Sequence, residues 1–173
     1  LVTTNESKVL VDCGAKPTNN RSEVQPFFAA PEMLPLDNID AVVITHAHVD
    51  HIGMLPVLFR YGYKGPVYCT QPTRDLMTLL QMDYIKVAQA EGNEAPYSRS
   101  DIQECIKHVV DVNWGEKTDI APDIKMTMEN AGHILGSSSV YMQIGEGRTE
   151  HKLLFSGDIK YEKSWLFDAA TVR

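Results

Sequence analysis

The chain has 173 residues and a net charge of −7, with 43% hydrophobic and 23% charged residues. This length suffices for one hydrophobic core, and the composition is typical of a globular domain. No run approaches the roughly 18 consecutive apolar residues that a membrane helix needs, so we expect no membrane span. Three isolated cysteines, Cys13, Cys69 and Cys105, indicate a reducing, cytoplasmic compartment rather than a disulfide framework.

The negative charge does not fit a protein that binds nucleic acid through its own basic surface, because phosphate binding leaves clustered Lys and Arg residues. Here the basic residues are scattered, and the longest local cluster, KYEKSW at 160–165, is mixed with acid. A polyanionic substrate would therefore need positive charge from bound metal ions or from other parts of a longer protein.

Three short apolar runs in the first half predict buried strands: 8–14, 40–46 and 65–70. The first ends at Gly14 and is followed by a polar loop over 15–26. The second is apolar almost throughout, which indicates a strand covered on both faces. Between the second and third strands, residues 52–62 predict a short helix with Pro56 near its start.

The clearest helical pattern covers 72–91. Its predicted apolar face contains Met77, Leu80, Tyr84 and Val87, and Gly92 follows at the position where helices often end. A further helix is predicted over 100–109, with Ser100 as its N-cap.

Four strand-like runs fill the remainder of the chain: 108–114, 124–132, 140–147 and 152–158. Gly145 and Gly147 predict a turn between the last two. The order of elements predicts an α/β or α+β layered domain.

Four metal-binding side chains follow the second predicted strand within six positions: His46, His48, Asp50 and His51. Burying such groups together is costly unless they are coordinated or hydrogen-bonded. Two more candidates, His133 and Asp158, each follow a later strand and are each directly preceded by glycine. Imidazole and carboxylate are common zinc ligands, so the six side chains together predict a zinc site.

The segment THAHVDH at 45–51, with GH at 132–133 and SGD at 156–158, resembles the metallo-β-lactamase superfamily, whose fold stacks two β-sheets between helices. Residues 53–88, including the pair Asp83 and Tyr84, are similar to the β-CASP ribonuclease group. Within that group, the similarity is to the archaeal relatives of the cleavage and polyadenylation specificity factor. It runs from about Val9 to about Ala170.

The resemblance implies two zinc ions in the full-length enzyme. One ion would be held by the set His46, His48, His133 and Asp158. The other would be held by Asp50, His51 and Asp158, which would bridge the two ions. Asp50 and Asp158 would thereby be catalytic. Asp12 would not bind metal itself but would orient one of the metal ligands.

The resemblance further implies that residues 1–173 form a partial metallo-β-lactamase domain, an αββα sandwich truncated at both ends and separated from its cap domain and C-terminal motifs. The expected function is zinc-dependent hydrolysis of single-stranded RNA by an endoribonuclease, with 5′–3′ exonuclease action as a second mode. The full-length protein would be cytoplasmic, and a homodimer is one expected assembly. The isolated fragment is expected to cleave RNA poorly.

Two other functions stay open from the sequence. One is a small-molecule metallohydrolase, such as a thioesterase or lactonase. The other is a non-catalytic scaffold subunit of an RNA-processing complex, although such subunits usually lose metal ligands and all six expected here are present. The sequence also leaves open whether the substrate is RNA or DNA.

Overall fold

The computed structural model describes residues 1–16 and 31–171 and arranges them in three layers: helices, a mixed sheet and an antiparallel sheet. Within these residues the mixed sheet has five strands, in spatial order β1 (Val2–Thr3), β2 (Lys8–Val11), β3 (Ala41–Val43), β4 (Val67–Cys69) and β5 (Val109–Asp111). The last four run parallel, and β1 is antiparallel to β2.

The antiparallel sheet has four strands within the same described residues: β6 (Lys117–Ala121), β7 (Ile124–Asn130), β8 (Ser138–Ile144) and β9 (His151–Phe155). The helices described are α1 (Val49–Ile52), α2 (Leu55–Arg60), α3 (Gln71–Ala90) and α4 (Arg99–Lys107). Short 3-10 turns cover Pro31–Met33, Leu36–Asn38 and Gly147–Thr149. None of these helices combines the length and the apolar character needed to cross a bilayer.

Strand β3 separates the two hydrophobic cores. Val42 packs into the core beneath the helices, whereas Ala41 and Val43 pack into the core between the sheets. All three side chains are completely buried, which confirms the prediction of a strand covered on both faces. The layered α/β class is likewise confirmed. In the described part of the chain no helix contributes to the core between the sheets, as a partial αββα sandwich requires.

The predicted apolar face of α3 is confirmed in part. Met77 is buried in the helix-side core, and Leu80 and Tyr84 pack against that core, but Val87 is 48% exposed. The buried positions are spaced by four residues: Thr73, Met77, Gln81 and Ile85. Two of these are polar, and each finds a hydrogen-bond acceptor in the tertiary structure. Thr73 Oγ1 donates to the carbonyl of Gly136, and Gln81 Nε2 donates to the carbonyl of Ile52. A hydrophobic pattern could not reveal these polar contacts.

Several local predictions need further correction. Helix α4 begins after Ser98 rather than Ser100, because Ser98 and Asp101 form a reciprocal capping box. Strands β1 and β6 have no counterpart among the predicted elements. Most of the predicted polar loop 15–26, from residue 17 onward, lies outside the described residues.

The three cysteines are free, and all three are buried. Burial raises the pKa of the Cys13 and Cys69 thiols to about 12, so both stay protonated at neutral pH.

The completely buried Leu58 in α2 offers a test of the helix-side core. We expect Leu58→Ala to lower the free energy of unfolding by about 2–5 kcal/mol, because it removes buried methyl groups and leaves a cavity. Leu79→Ala in α3, where the side chain is 65% exposed, should change it by less than about 0.5 kcal/mol. Urea denaturation measures both values, and equal losses would contradict this assignment of the core.

Candidate metal centre

The candidate site begins where β2 and β3 end. The strands pair in register, with Val11 beside Val43, so the residues that follow them also meet. The N–H of Asp12 donates to the carbonyl of Val43 at 2.9 Å, and the N–H of Thr45 donates to Oδ1 of Asp12 at 2.8 Å. Asp12 has a φ of 57°, in the left-handed region that aspartate tolerates better than most residues. Its carboxylate therefore faces the end of β3.

Helix α1 brings Asp50 and His51 to the same edge. The chain turns at His48, which is the N-cap of α1, and the N–H of Cys13 donates to the carbonyl of His51 at 2.8 Å. A Cβ atom on Gly14 would lie 1.5 Å from the carbonyl oxygen of Asp50. Only glycine permits this close approach between the end of β2 and α1.

His133 lies in the connection between β7 and β8. Its N–H donates to Oγ of Ser137 at 3.1 Å. The carbonyl of Gly136 accepts hydrogen bonds from the hydroxyls of Thr70 at 2.7 Å and Thr73 at 3.0 Å. Because Thr70 is the N-cap of α3, the start of that helix holds the connection that carries His133.

Asp158 follows β9, and the glycine before it is required by space as well as by conformation. Gly157 has a φ of 54°, and a Cβ atom there would lie 2.9 Å from Cβ of Thr45. Gly132, before His133, has a φ of 68°, and its Cβ would lie 2.5 Å from the carbonyl oxygen of Lys160. Both glycines permit the segments carrying His133 and Asp158 to approach neighbouring backbone or side chains closely.

Four side chains converge so that one donor atom from each lies within 4.8 Å of every other: His46, His48, His133 and Asp158. Nδ1 of His48 is 3.1 Å from Nε2 of His46 and 3.1 Å from Nε2 of His133. Oδ2 of Asp158 is 3.4 Å from the His133 nitrogen and 3.8 Å from the His46 nitrogen. In a tetrahedral zinc site, bonds of about 2.0–2.1 Å place neighbouring ligand atoms about 3.3 Å apart. The donor set and its spacing fit zinc.

Asp50 and His51 lie on the other side of Asp158. Nε2 of His51 is 3.6 Å from Oδ1 of Asp158 and 3.9 Å from Oδ2 of Asp50. The two oxygens of Asp158 thus face different rings: Oδ2 faces His46 and His133, and Oδ1 faces His51. This arrangement suits a carboxylate that serves two cations.

The electrostatic setting favours neutral rings within the cluster. His46 is completely buried, and this burial lowers its pKa to about 4. Burial also lowers the pKa of His133. The hydrogen bond with Asp12 raises the pKa of His51. Metal ligation requires an unprotonated ring nitrogen. The lowered pKa values of His46 and His133 therefore favour the form of each ring that can bind a cation.

The structure brings the six proposed metal ligands to one edge of the two sheets. Oδ2 of Asp12 lies 2.8 Å from Nδ1 of His51. Sequence reasoning missed the residues that support them: Thr45, Thr70, Thr73 and Ser137. Thr45 offered a signal, since it is polar at the end of an apolar run and precedes His46. The other three gave none, because their partners are distant in sequence.

The chain matches a family profile described as "Metallo-beta-lactamase superfamily domain" over residues 1–172. It is 52% identical over 170 residues to the transcription termination factor FttA of Methanosarcina mazei and 53% identical over 167 residues to that of Methanococcus maripaludis. These alignments cover 98% and 96% of this chain but 26% of each relative. The chain therefore spans about a quarter of the length of these relatives.

Solved structures show the same fold at low identity. A metallo-β-lactamase from Cronobacter sakazakii has a TM-score of 0.57 at 16% identity, and the match covers 89% of this chain and 54% of that one. The Rm3 metallo-β-lactamase has a TM-score of 0.54 at 20% identity, with 88% and 52% covered. These similarities concern the fold alone.

The buried ring of His46 can be tested by titration. In the metal-free protein we expect His46 to stay neutral until the pH falls to about 4, because burial disfavours the imidazolium ion. His51 should gain its proton at a higher pH than an ordinary histidine, because Asp12 stabilises the charged ring. NMR titration of the ring signals measures both. A His46 that titrates at the ordinary pKa of about 6.5 would contradict the buried, neutral assignment.

Zinc titration tests the two groups of ligands separately. We expect a tighter and a weaker site, because four donor atoms converge in the first group and only His51 and two carboxylates face the second. His133→Ala should remove the tighter site, whereas His51→Ala should weaken only the other. His151→Ala, at an exposed position of β9, is the control. Two equally tight sites by calorimetry would contradict this assignment.

Proposed function

This chain belongs to the metallo-β-lactamase superfamily, and on that premise we propose that it is the metal-binding part of a zinc-dependent RNA phosphodiester hydrolase. The observation that carries the proposal is the position of Asp158. One of its oxygens faces the histidine cluster and the other faces His51, which is the arrangement that a two-metal phosphodiesterase needs.

The relatives indicate the setting in which such an enzyme would act. Both relatives are named transcription termination factors, a name that concerns the end of transcription. We propose that the substrate is single-stranded RNA at the end of transcription, cut by endonucleolytic cleavage with 5′–3′ trimming as a second mode. We also propose a cytoplasmic location and, for the longer protein, a homodimer.

Bound zinc ions would supply Lewis acidity toward the phosphate and lower the pKa of water. The residues of the chain would hold the ions and orient the attacking water. One ion would be held by His46, His48, His133 and Asp158. The other ion would be held by Asp50 and His51 together with the same Asp158. The carboxylate of Asp50 is half exposed beside His51. In this proposal it would also accept a hydrogen bond from the attacking water and orient it.

The rest of a longer protein would complete the substrate-binding surface. The described chain spans about a quarter of its relatives, and its net charge of −7 gives little attraction for a polyanion. We therefore propose that RNA-binding residues and the groups that assist the leaving oxygen lie elsewhere in the protein, and that residues 1–173 alone cleave RNA poorly.

Cleavage of a labelled single-stranded RNA by the full natural polypeptide that contains this chain tests the proposal. We expect cleavage that stops when a chelator is added and returns with zinc. Asp158→Ala should reduce cleavage to the background rate, because it removes the carboxylate shared by both groups of ligands. Asp119→Ala, which removes an exposed carboxylate on β6, should retain the natural rate.

The same assay separates the alternatives. Parallel reactions contain a single-stranded DNA of the same sequence and a simple thioester. Preferred hydrolysis of either would overturn RNA as the substrate. A protein that binds zinc and hydrolyses none of the three would instead be a scaffold subunit, and the enzymatic proposal would be wrong.

A further inference from the structure

The hydroxyl of Thr45 lies between a carboxylate and a ring of the candidate metal centre. Thr45 is 1% exposed, and its Oγ1 is 2.8 Å from Oδ2 of Asp12 and 3.0 Å from Nδ1 of His46. Its backbone is held on both sides, since its N–H donates to Asp12 and its carbonyl accepts from the N–H of Ser138 at 2.8 Å. The hydroxyl therefore has little freedom to choose other partners.

Counting hydrogens determines the direction of these two bonds. A threonine hydroxyl has one hydrogen to donate, and an ionised carboxylate can only accept. Thr45 therefore donates to Asp12, and its oxygen must accept a hydrogen bond from Nδ1–H of His46. A neutral imidazole carries one ring hydrogen, so Nε2 of His46 is left with a lone pair. That nitrogen is the one beside His48 and Asp158.

Asp12 acts in the same way on a second ring. Its Oδ2 is also 2.8 Å from Nδ1 of His51, which therefore donates to the carboxylate. Nε2 of His51 is then also left with a lone pair, and it faces Oδ1 of Asp158. One carboxylate thus directs the tautomers of two rings, one directly and one through the hydroxyl of Thr45.

We propose that Thr45 is a positioning residue that connects Asp12 to His46, so that His46 and His51 both present an unprotonated Nε2 toward Asp158. The proposal rests on the proposed metal-binding role of these rings. Because both connections meet at Asp12, the two groups of ligands share one supporting carboxylate. Such supporting hydrogen bonds typically change metal affinity by about 10–100-fold.

The ring tautomers can be measured directly. Nitrogen NMR of the metal-free, histidine-labelled protein distinguishes protonated from unprotonated ring nitrogens. The measurement is made at a pH high enough that the ring signals no longer change with pH, so that both rings are neutral. We expect Nδ1–H on both His46 and His51. A natural protein in which His46 carries its hydrogen on Nε2 would overturn the proposal without any variant.

Variants at position 45 separate the hydroxyl from the shape of the side chain. Thr45→Val keeps the branched shape and removes the hydroxyl, so His46 should lose its preference for Nδ1–H while His51 retains it. Thr45→Ser keeps the hydroxyl and should retain the natural tautomer of His46. A Thr45→Val protein in which His46 keeps its Nδ1–H would contradict the proposal.

Zinc calorimetry on the same proteins gives an independent result. Thr45→Val should weaken the site that contains His46 by about 10–100-fold, and Thr45→Ser should restore most of the affinity. Thr127→Val, at a buried position on β7, controls for the loss of a buried hydroxyl. Unchanged zinc affinity in Thr45→Val would overturn the role of Thr45. Neither measurement involves RNA, so a failure of the nuclease assay would leave these results independent.

Discussion

The in-register pairing of β2 with β3 determines where the candidate metal centre lies. It places the carboxylate of Asp12 beside the first residues after β3, and there the carboxylate accepts hydrogen bonds from the backbone and hydroxyl of Thr45 and from the ring of His51. These three bonds join two strand ends and one helix. They are far more directional than hydrophobic packing, so they can hold ring orientations that the core alone would leave variable.

Crowding these rings together has a physical cost that the scaffold must offset. Neutral imidazoles whose lone pairs converge repel one another, and the ring of His46 is buried away from water that could separate it from its neighbours. The protein holds them through rigid connections that come from different parts of the chain. The carbonyl of Gly136, for example, is bound by two hydroxyls at the start of α3, which holds the connection carrying His133. A cation within the cluster would relieve the repulsion.

The fold is common to proteins of very different chemistry, so it cannot identify the substrate. At 16–20% identity to solved metallo-β-lactamases, the similarity concerns the layered scaffold and nothing beyond it. RNA remains the proposed substrate on account of relatives named transcription termination factors that are about half identical to this chain, and the position of Asp158 concerns metal binding rather than the identity of the substrate. The net charge of −7 gives these residues little electrostatic attraction for a polyanion.

Local chemistry accounts for the parts of the fold that could be predicted. The alternation of apolar runs with turn residues predicted most strands and helices. Predictions were wrong where polar side chains were buried or where several serines could cap one helix, as for Thr73 in α3 and Ser98 before α4. A hydrophobic pattern counts a buried threonine as exposed, because its hydrogen-bond acceptor lies more than sixty positions away in the chain.

By itself, the sequence determined which side chains are candidates for metal binding, because imidazoles and carboxylates gathered at the ends of apolar runs are costly to bury unless a cation or hydrogen bonds hold them. The tertiary structure alone decided how those side chains meet. It placed one oxygen of Asp158 near His133 and the other near His51, and it placed the hydroxyl of Thr45 between Asp12 and His46. Spacing along the chain cannot encode these contacts, because hydrogen-bond direction depends on how strands from different parts of the chain are packed together.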